Sequence, residues 1–194
     1  MMRNTLVFAG ISLLALGNPA LGQSSNYLSQ TPPSTTPEVF APGLISQPDA
    51  YEFGSVFNAD FTEFYYSVNV QGRSETRQLL LQDGQWTAPK VILEHPSFGH
   101  NDPFLSPDEQ RLYFISPRPQ DGQGPAKDYD IWYVKRQGDG WSEPINAGPH
   151  INTQGNEYYI SFTETGTMYF GSNRQDNNFD IYSSAYQDGE FQEA

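Results

Sequence analysis

The chain has 194 residues, no cysteine and a formal charge of −13, with 14 % aromatic and 17 % charged residues. Without cysteine there is no disulfide, thiolate metal site, cysteine nucleophile or lipidated cysteine anchor. The acidity is expected to exclude nucleic acid as a partner, because that binding rests on Lys and Arg displacing counterions from phosphate.

Taken in chain order, residues 1–22 read as an export signal. Arg3 supplies a positive start, and Leu6 to Leu16 is apolar except for Gly10 and Ser12. Gly17, Asn18 and Pro19 break the run, and Ala20 and Gly22 are the small residues a signal peptidase requires, so cleavage is predicted between Gly22 and Gln23. The run is far shorter than the roughly 20 residues that span a bilayer. The mature protein is therefore expected in a bacterial periplasm or secreted, with no membrane insertion after cleavage. Residues 23–39 contain "SSNYLSQTPPSTTP", which offers almost nothing to bury and is read as a flexible Ser/Thr/Pro-rich lead-in.

From residue 40 the chain repeats. "VFNADFTEFYYSV" from Val56, "FLSPDEQRLYFIS" from Phe104 and "SFTETGTMYFGS" from Ser161 each hold an apolar start, a small polar turn and an aromatic pair. "DIWYV" from Asp130 matches "DIYSS" from Asp180, and "DGQWTAP", "GDGWSEP" and "DGEFQEA" close the units. The period of about 50 residues belongs to blades or solenoids. Three units are predicted, at about 40–95, 96–150 and 151–194, each of four short strands, A to D. Strand B of the second unit is apolar on both faces (Leu112, Tyr113, Phe114, Ile115), so its sheet must be covered on both sides. The predicted fold class is all-β, a β-propeller of four-stranded blades. In the A-to-B turns Pro107 presets a type I turn, and the position that turns left-handed holds Phe61, Glu109 and Gly166.

"SPDEQRLYFIS", "DYDIWYV", "DGWSEPINAG", "NTQGNEYYISF" and "YFGSNRQDNNFDIY" resemble the WD40-like, or PD40, β-propeller repeat, found also in the TolB-type periplasmic propellers. "NADF" and "TETG" depart from that family's Ser-Pro-Asp-Gly turn. The resemblance implies a protein-interaction part of the cell envelope, at the level of fold only. Propellers usually have about 4 to 8 blades, so three form an incomplete ring. The chain is accordingly expected to be a C-terminally truncated fragment, with relatives of about six blades. Both end faces should lie in water, and two copies could self-associate to complete the circle.

A-to-B and C-to-D turns fall on one rim, B-to-C and D-to-A loops on the other. The second rim is predicted to bind a protein, peptide or glycan through His100, Asn101, Asp102, Arg118, Asp130, Glu157, Arg174 and Asp180. Arg118 with Asp130, and Arg174 with Asp180, recur at matching places and are expected to form loop-tying ion pairs. No nucleophile elbow or zinc-protease motif occurs, "HPSFGHND" matches no standard metal spacing, and "DNNFD" offers oxygen ligands for calcium but is read as an ordinary polar loop, so no metal and no cofactor are expected. The first expectation is a non-enzymatic binding or scaffolding module. One alternative is a glycan-acting hydrolase using Glu52, Asp102 and Glu157, read as repeat-equivalent carboxylates around the channel mouth. Another is the substrate filter of a peptidase whose catalytic domain is lacking.

Overall fold

The structure, a computed structural model, describes residues 27, 28, 30–176 and 178–194; the predicted leader and its cleavage point lie outside the described residues. Every regular element among the described residues is a strand. The first sheet holds β1 (Tyr51–Phe57), β2 (Glu63–Val70) and β3 (Arg73–Gln82), with β4 (Gln85–Trp86) and β5 (Lys90–Leu93) both paired to β3. The second repeats this with β6 (Asn101–Leu105), β7 (Arg111–Ser116), β8 (Asp130–Gln137), β9 (Gly140–Trp141) and β10 (Ile145–Asn146). The third has β11 (Glu157–Phe162), β12 (Met168–Gln175) and β13 (Asn178–Ser184), followed by the hairpin of β14 (Tyr186–Gln187) and β15 (Glu190–Phe191). All ladders are antiparallel. These are consecutive propeller blades, with the first strands of neighbouring blades side by side.

Local chemistry explains the A-to-B turns. Phe61, Glu109 and Gly166 each donate their backbone N–H to the carbonyl three residues back, on Asn58, Ser106 and Thr163, at 3.1, 2.8 and 3.0 Å. All three are left-handed, with φ of 55°, 56° and 89°, which only the glycine adopts without steric cost. The side chains of Asn58, Ser106 and Thr163 then accept from backbone N–H groups where the chain enters the next strand, as Ser106 Oγ does from the Arg111 N–H at 3.0 Å.

β7 shows why the repeat stacks. Leu112 and Phe114 pack toward the first blade with Tyr65, Leu93, Trp132 and Val134. Tyr113 and Ile115 pack toward the third with Ile160, Met168, Phe170 and Phe191. The absence of polar alternation in β7 is thus the signature of cover on both sides.

The end faces differ from expectation. The outer face of the first blade is covered: Leu28, Ala41 and Ile45 are buried against Phe64, Tyr66, Val68 and Leu79. Tyr27 adds an edge contact to Phe40 at 5.3 Å and stacks on Phe57 at 6.3 Å. The lead-in was expected to bury almost nothing, yet Tyr27 and Leu28 belong to this cap, while residues 31–39 are exposed. The outer face of the third blade does lie open, presenting Tyr159, Tyr169, Phe179 and Ile181.

Candidate binding rim

The second rim is dominated by the β7–β8 loop, residues 117–129. The Lys127 N–H donates to the Pro117 carbonyl, and the Gly122 N–H to that of Pro119, both at 2.8 Å. Lys127 Nζ then reaches Asp128 at 3.0 Å and Asp130 at 2.9 Å. Asp130, buried at the start of β8, also accepts from Asn146 Nδ2 at 2.8 Å.

Strand register revises the predicted equivalences. Glu52 stands opposite Val68 and Glu157 opposite Ser172. In the second blade Asn101 faces Ile115, which puts His100, not Asp102, opposite Ser116. The counterpart of Glu52 and Glu157 is therefore His100. Asp102 occupies a bulge equivalent to Gly54 and Tyr159, and all three are left-handed, with φ of 50°, 48° and 60°. At this bulge the inner strands touch: a Cβ on Gly54 would lie 2.7 Å from Asp102 Cα. Burial raises the Asp102 carboxyl above its ordinary value.

Glu157 does not line an open mouth. It is 0 % exposed, and its carboxylate accepts from Thr153 Oγ1 and Ser172 Oγ at 2.8 Å and from the Thr153 N–H at 3.3 Å. Arg174 completes the set at 3.8 Å. Burial nonetheless outweighs these donors and holds the carboxyl above its usual value. His100 is equally enclosed, at 1 % exposed. Its carbonyl accepts from Ser67 and Thr76, and its N–H donates to the Ser74 carbonyl, so it joins the first two blades. Burial, aided by Arg118 and His95, pushes its imidazole down to about 4. Asn101 accepts from Ser74 Oγ across the same seam. Glu52 lies at the edge, accepting from the Gln47 N–H at 3.0 Å.

The expected arginine–aspartate pairs do not form. Arg174 donates to the Ile151 carbonyl at 2.6 Å and to Ser172 Oγ at 3.1 Å, and lies 4.3 Å over the Tyr182 ring; Asp180 is exposed and outside these bonds. Arg118 lies 5.0 Å over the ring of Trp132, while Asp130 is taken by Lys127. Trp132 and Tyr182 stand at equivalent places, opposite Phe114 and Phe170, so the recurring device is an arginine stacked on an aromatic. Ser116, Trp132, Ser172, Thr153 and Lys127 were not singled out from the sequence. The recurrence of "YFIS" and "YFGS" was the available signal for the two serines.

Elsewhere, a groove between the second and third blades is lined by Arg111, Tyr133, His150, Tyr186 and Phe191. Its Arg111 already donates to the Tyr186 hydroxyl at 2.6 Å, and Arg136 ion-pairs with Glu63 at 2.9 Å. Among the described residues, Arg118 is the seam arginine without an acceptor. Also among these residues, no group of three His, Asp or Glu stands close enough to hold a metal, and no helix is long and apolar enough to cross a membrane.

No family model and no curated protein matches the chain. Among solved structures it is similar to a puromycin-hydrolysing peptidase of Mycobacterium tuberculosis, at 15 % identity and a TM-score of 0.52, over 74 % of this chain and 22 % of that one. This likeness shows the fold alone. TolB of Acinetobacter baumannii aligns at 14 % identity and a TM-score of 0.49, over 70 % of this chain and 30 % of its own. A putative TolB of Agrobacterium tumefaciens gives 17 % and 0.49, over 73 % and 47 %. The chain thus spans less than half the length of each of these proteins.

Proposed function

We propose that this chain is an exported, non-enzymatic binding module of the PD40 type. Its β7–β8 and D-to-A rim would engage a protein, peptide or glycan in the cell envelope. One observation carries this reading: the carboxylates a hydrolase would need are committed elsewhere. Glu157 is sealed among its donors, Asp102 stands two residues out of register with it, and Glu52 is held by a backbone N–H. What remains is a rigid stack of sheets carrying one long rim loop, the usual platform for recognition. The likeness to a puromycin-hydrolysing peptidase favours a second reading, in which the same rim admits substrates to a peptidase.

The test is site-specific photo-crosslinking in cells. A crosslinking residue in place of exposed Gln120, on the long loop, is expected to capture discrete envelope species. The same residue in place of exposed Asp139, on the opposite rim, is expected to capture none. Equal capture at both rims, or at neither, contradicts the reading.

Self-association belongs to the same proposal. Tyr65 and Tyr113 are each buried by the following blade, whereas Tyr169, at the equivalent place, is 42 % exposed. The matching face of a second copy would continue this interface through a two-fold pairing, because the other end face is already capped. Sedimentation is expected to show a concentration-dependent dimer, and Ile181→Lys to weaken it at least about tenfold. A parent chain that stays monomeric at all concentrations rejects this pairing.

A further inference from the structure

Two blade seams use the same parts, and one of them lacks its acceptor. In the third blade Ser172 and Arg174 surround the Glu157 carboxylate beside Tyr182. The matching residues of the second blade are Ser116, Arg118 and Trp132, with His100 where Glu157 would be. Exchange of glutamate for histidine removes the acceptor and leaves the donors. Ser116 Oγ, Arg118 Nε, Trp132 Nε1 and His100 Nδ1 are all buried without a hydrogen-bond partner. Ser116 and Trp132 are 0 % and 2 % exposed, and both side chains lie on the sheet face turned toward the first blade. Arg118 stacks on Trp132, and His100 packs on Phe114 at 5.1 Å on that same face. A buried donor without an acceptor has given up its hydration and gains no bond in return. This cost recurs at the three donors Ser116 Oγ, Arg118 Nε and Trp132 Nε1, in a cluster that opens to the rim at the half-buried Arg118.

We propose that the Ser116–Arg118–Trp132 cluster binds a carboxylate of a protein or peptide ligand, in the place that Glu157 fills internally in the next blade. This deepens the binding-module reading and rests on it. The guanidinium and indole N–H supply directed donors, and the enclosed setting strengthens each bond relative to water. Neutral His100 adds no competing carboxylate; Asp130, opposite Ser116, is already paired with Lys127 at 2.9 Å, so Glu143 is the carboxylate a ligand would displace from the field of Arg118.

The experiment titrates the isotopically labelled full chain while following its three tryptophan indole N–H resonances. The probes are N-acetylglutamate α-amide, N-acetylglutamine with a free α-carboxylate, N-acetylglutamine α-amide and inorganic phosphate. The Trp132 resonance is expected to shift with a carboxylate probe and not with the neutral amide. The first two probes distinguish a side-chain from a C-terminal carboxylate. Arg118→Gln should weaken binding at least about tenfold, the loss of a charge-assisted bond. His100→Glu should abolish binding and raise the unfolding midpoint, because it installs the acceptor. The proposal is overturned by no response to either carboxylate, by a response to phosphate alone, or by binding that survives Arg118→Gln. If the carboxylates fail while crosslinking at Gln120 persists, the ligand chemistry falls and the binding reading stands; loss of both removes both.

Discussion

Tyr113→Ala is expected to lower the stability of the chain by about 3–5 kcal/mol, whereas Tyr169→Ala should cost less than about 1 kcal/mol. The two tyrosines hold the same place in successive repeats and differ only in what covers them. Tyr113 is 1 % exposed, with its ring 5.0 Å from Phe162, 5.4 Å from Tyr133 and 6.2 Å from Phe191. Truncation there removes the aromatic area and leaves a cavity that β7, fixed in its ladder, cannot collapse to fill. Tyr169 has solvent on its outer side and leaves no enclosed void. Against a total stability of about 5–15 kcal/mol, the first loss is large. Urea titrations of both variants provide the measurement. Equal shifts in midpoint would mean that the blades do not shield one another.

Acidification should destabilise the chain through His100. Its folded-state pKa is about 4, against an ordinary 6.5, so the fold favours the neutral ring. That contribution is complete above about pH 6.5, is lost as pH falls toward 4, and changes no further once both states are protonated. A difference of this size corresponds to about 3 kcal/mol. Burial is the main cause, and the neighbouring Arg118 and His95 act in the same direction. Asp102 and Glu157, whose carboxyl values are raised, act oppositely, losing their contribution as pH rises through those values. The diagnostic quantity is therefore the difference between the parent chain and His100→Gln, measured at pH 7 and at pH 4.5. An unchanged difference between the two pH values rules out His100 as the acid-labile group.

Local rules were legible in the sequence. The unbroken apolar run of Leu112 to Ile115 required cover on both faces, and the structure places one blade on each. The left-handed position of each A-to-B turn could be named because a four-residue turn depends on its own residues. Phe61, Glu109 and Gly166 all adopt it. Strand order within a repeat followed from turn spacing for the same reason, but the expected fourth strand is two short pieces in each of the first two blades, β4 with β5 and β9 with β10, and a separate hairpin in the third.

What the tertiary structure decided lies between residues distant in sequence. Because the bulge recurs in each inner strand it leaves the count unchanged: four residues before Val56, Phe104 and Ser161 stand Glu52, His100 and Glu157, so matching Asp102 with Glu157 followed side-chain type and not spacing, and the ladder corrects it. Asp130 was free to choose between Arg118 and Lys127, and packing gave it the lysine while Arg118 settled on the face of Trp132. The sparse apolar residues Leu28, Ala41 and Ile45 carry no periodic signal, and only the open flank of the first blade turns them into a cap. Turn geometry and apolar periodicity are written within a few residues. The choice of charge partner emerges only when separate sheets meet and compete for the same buried groups.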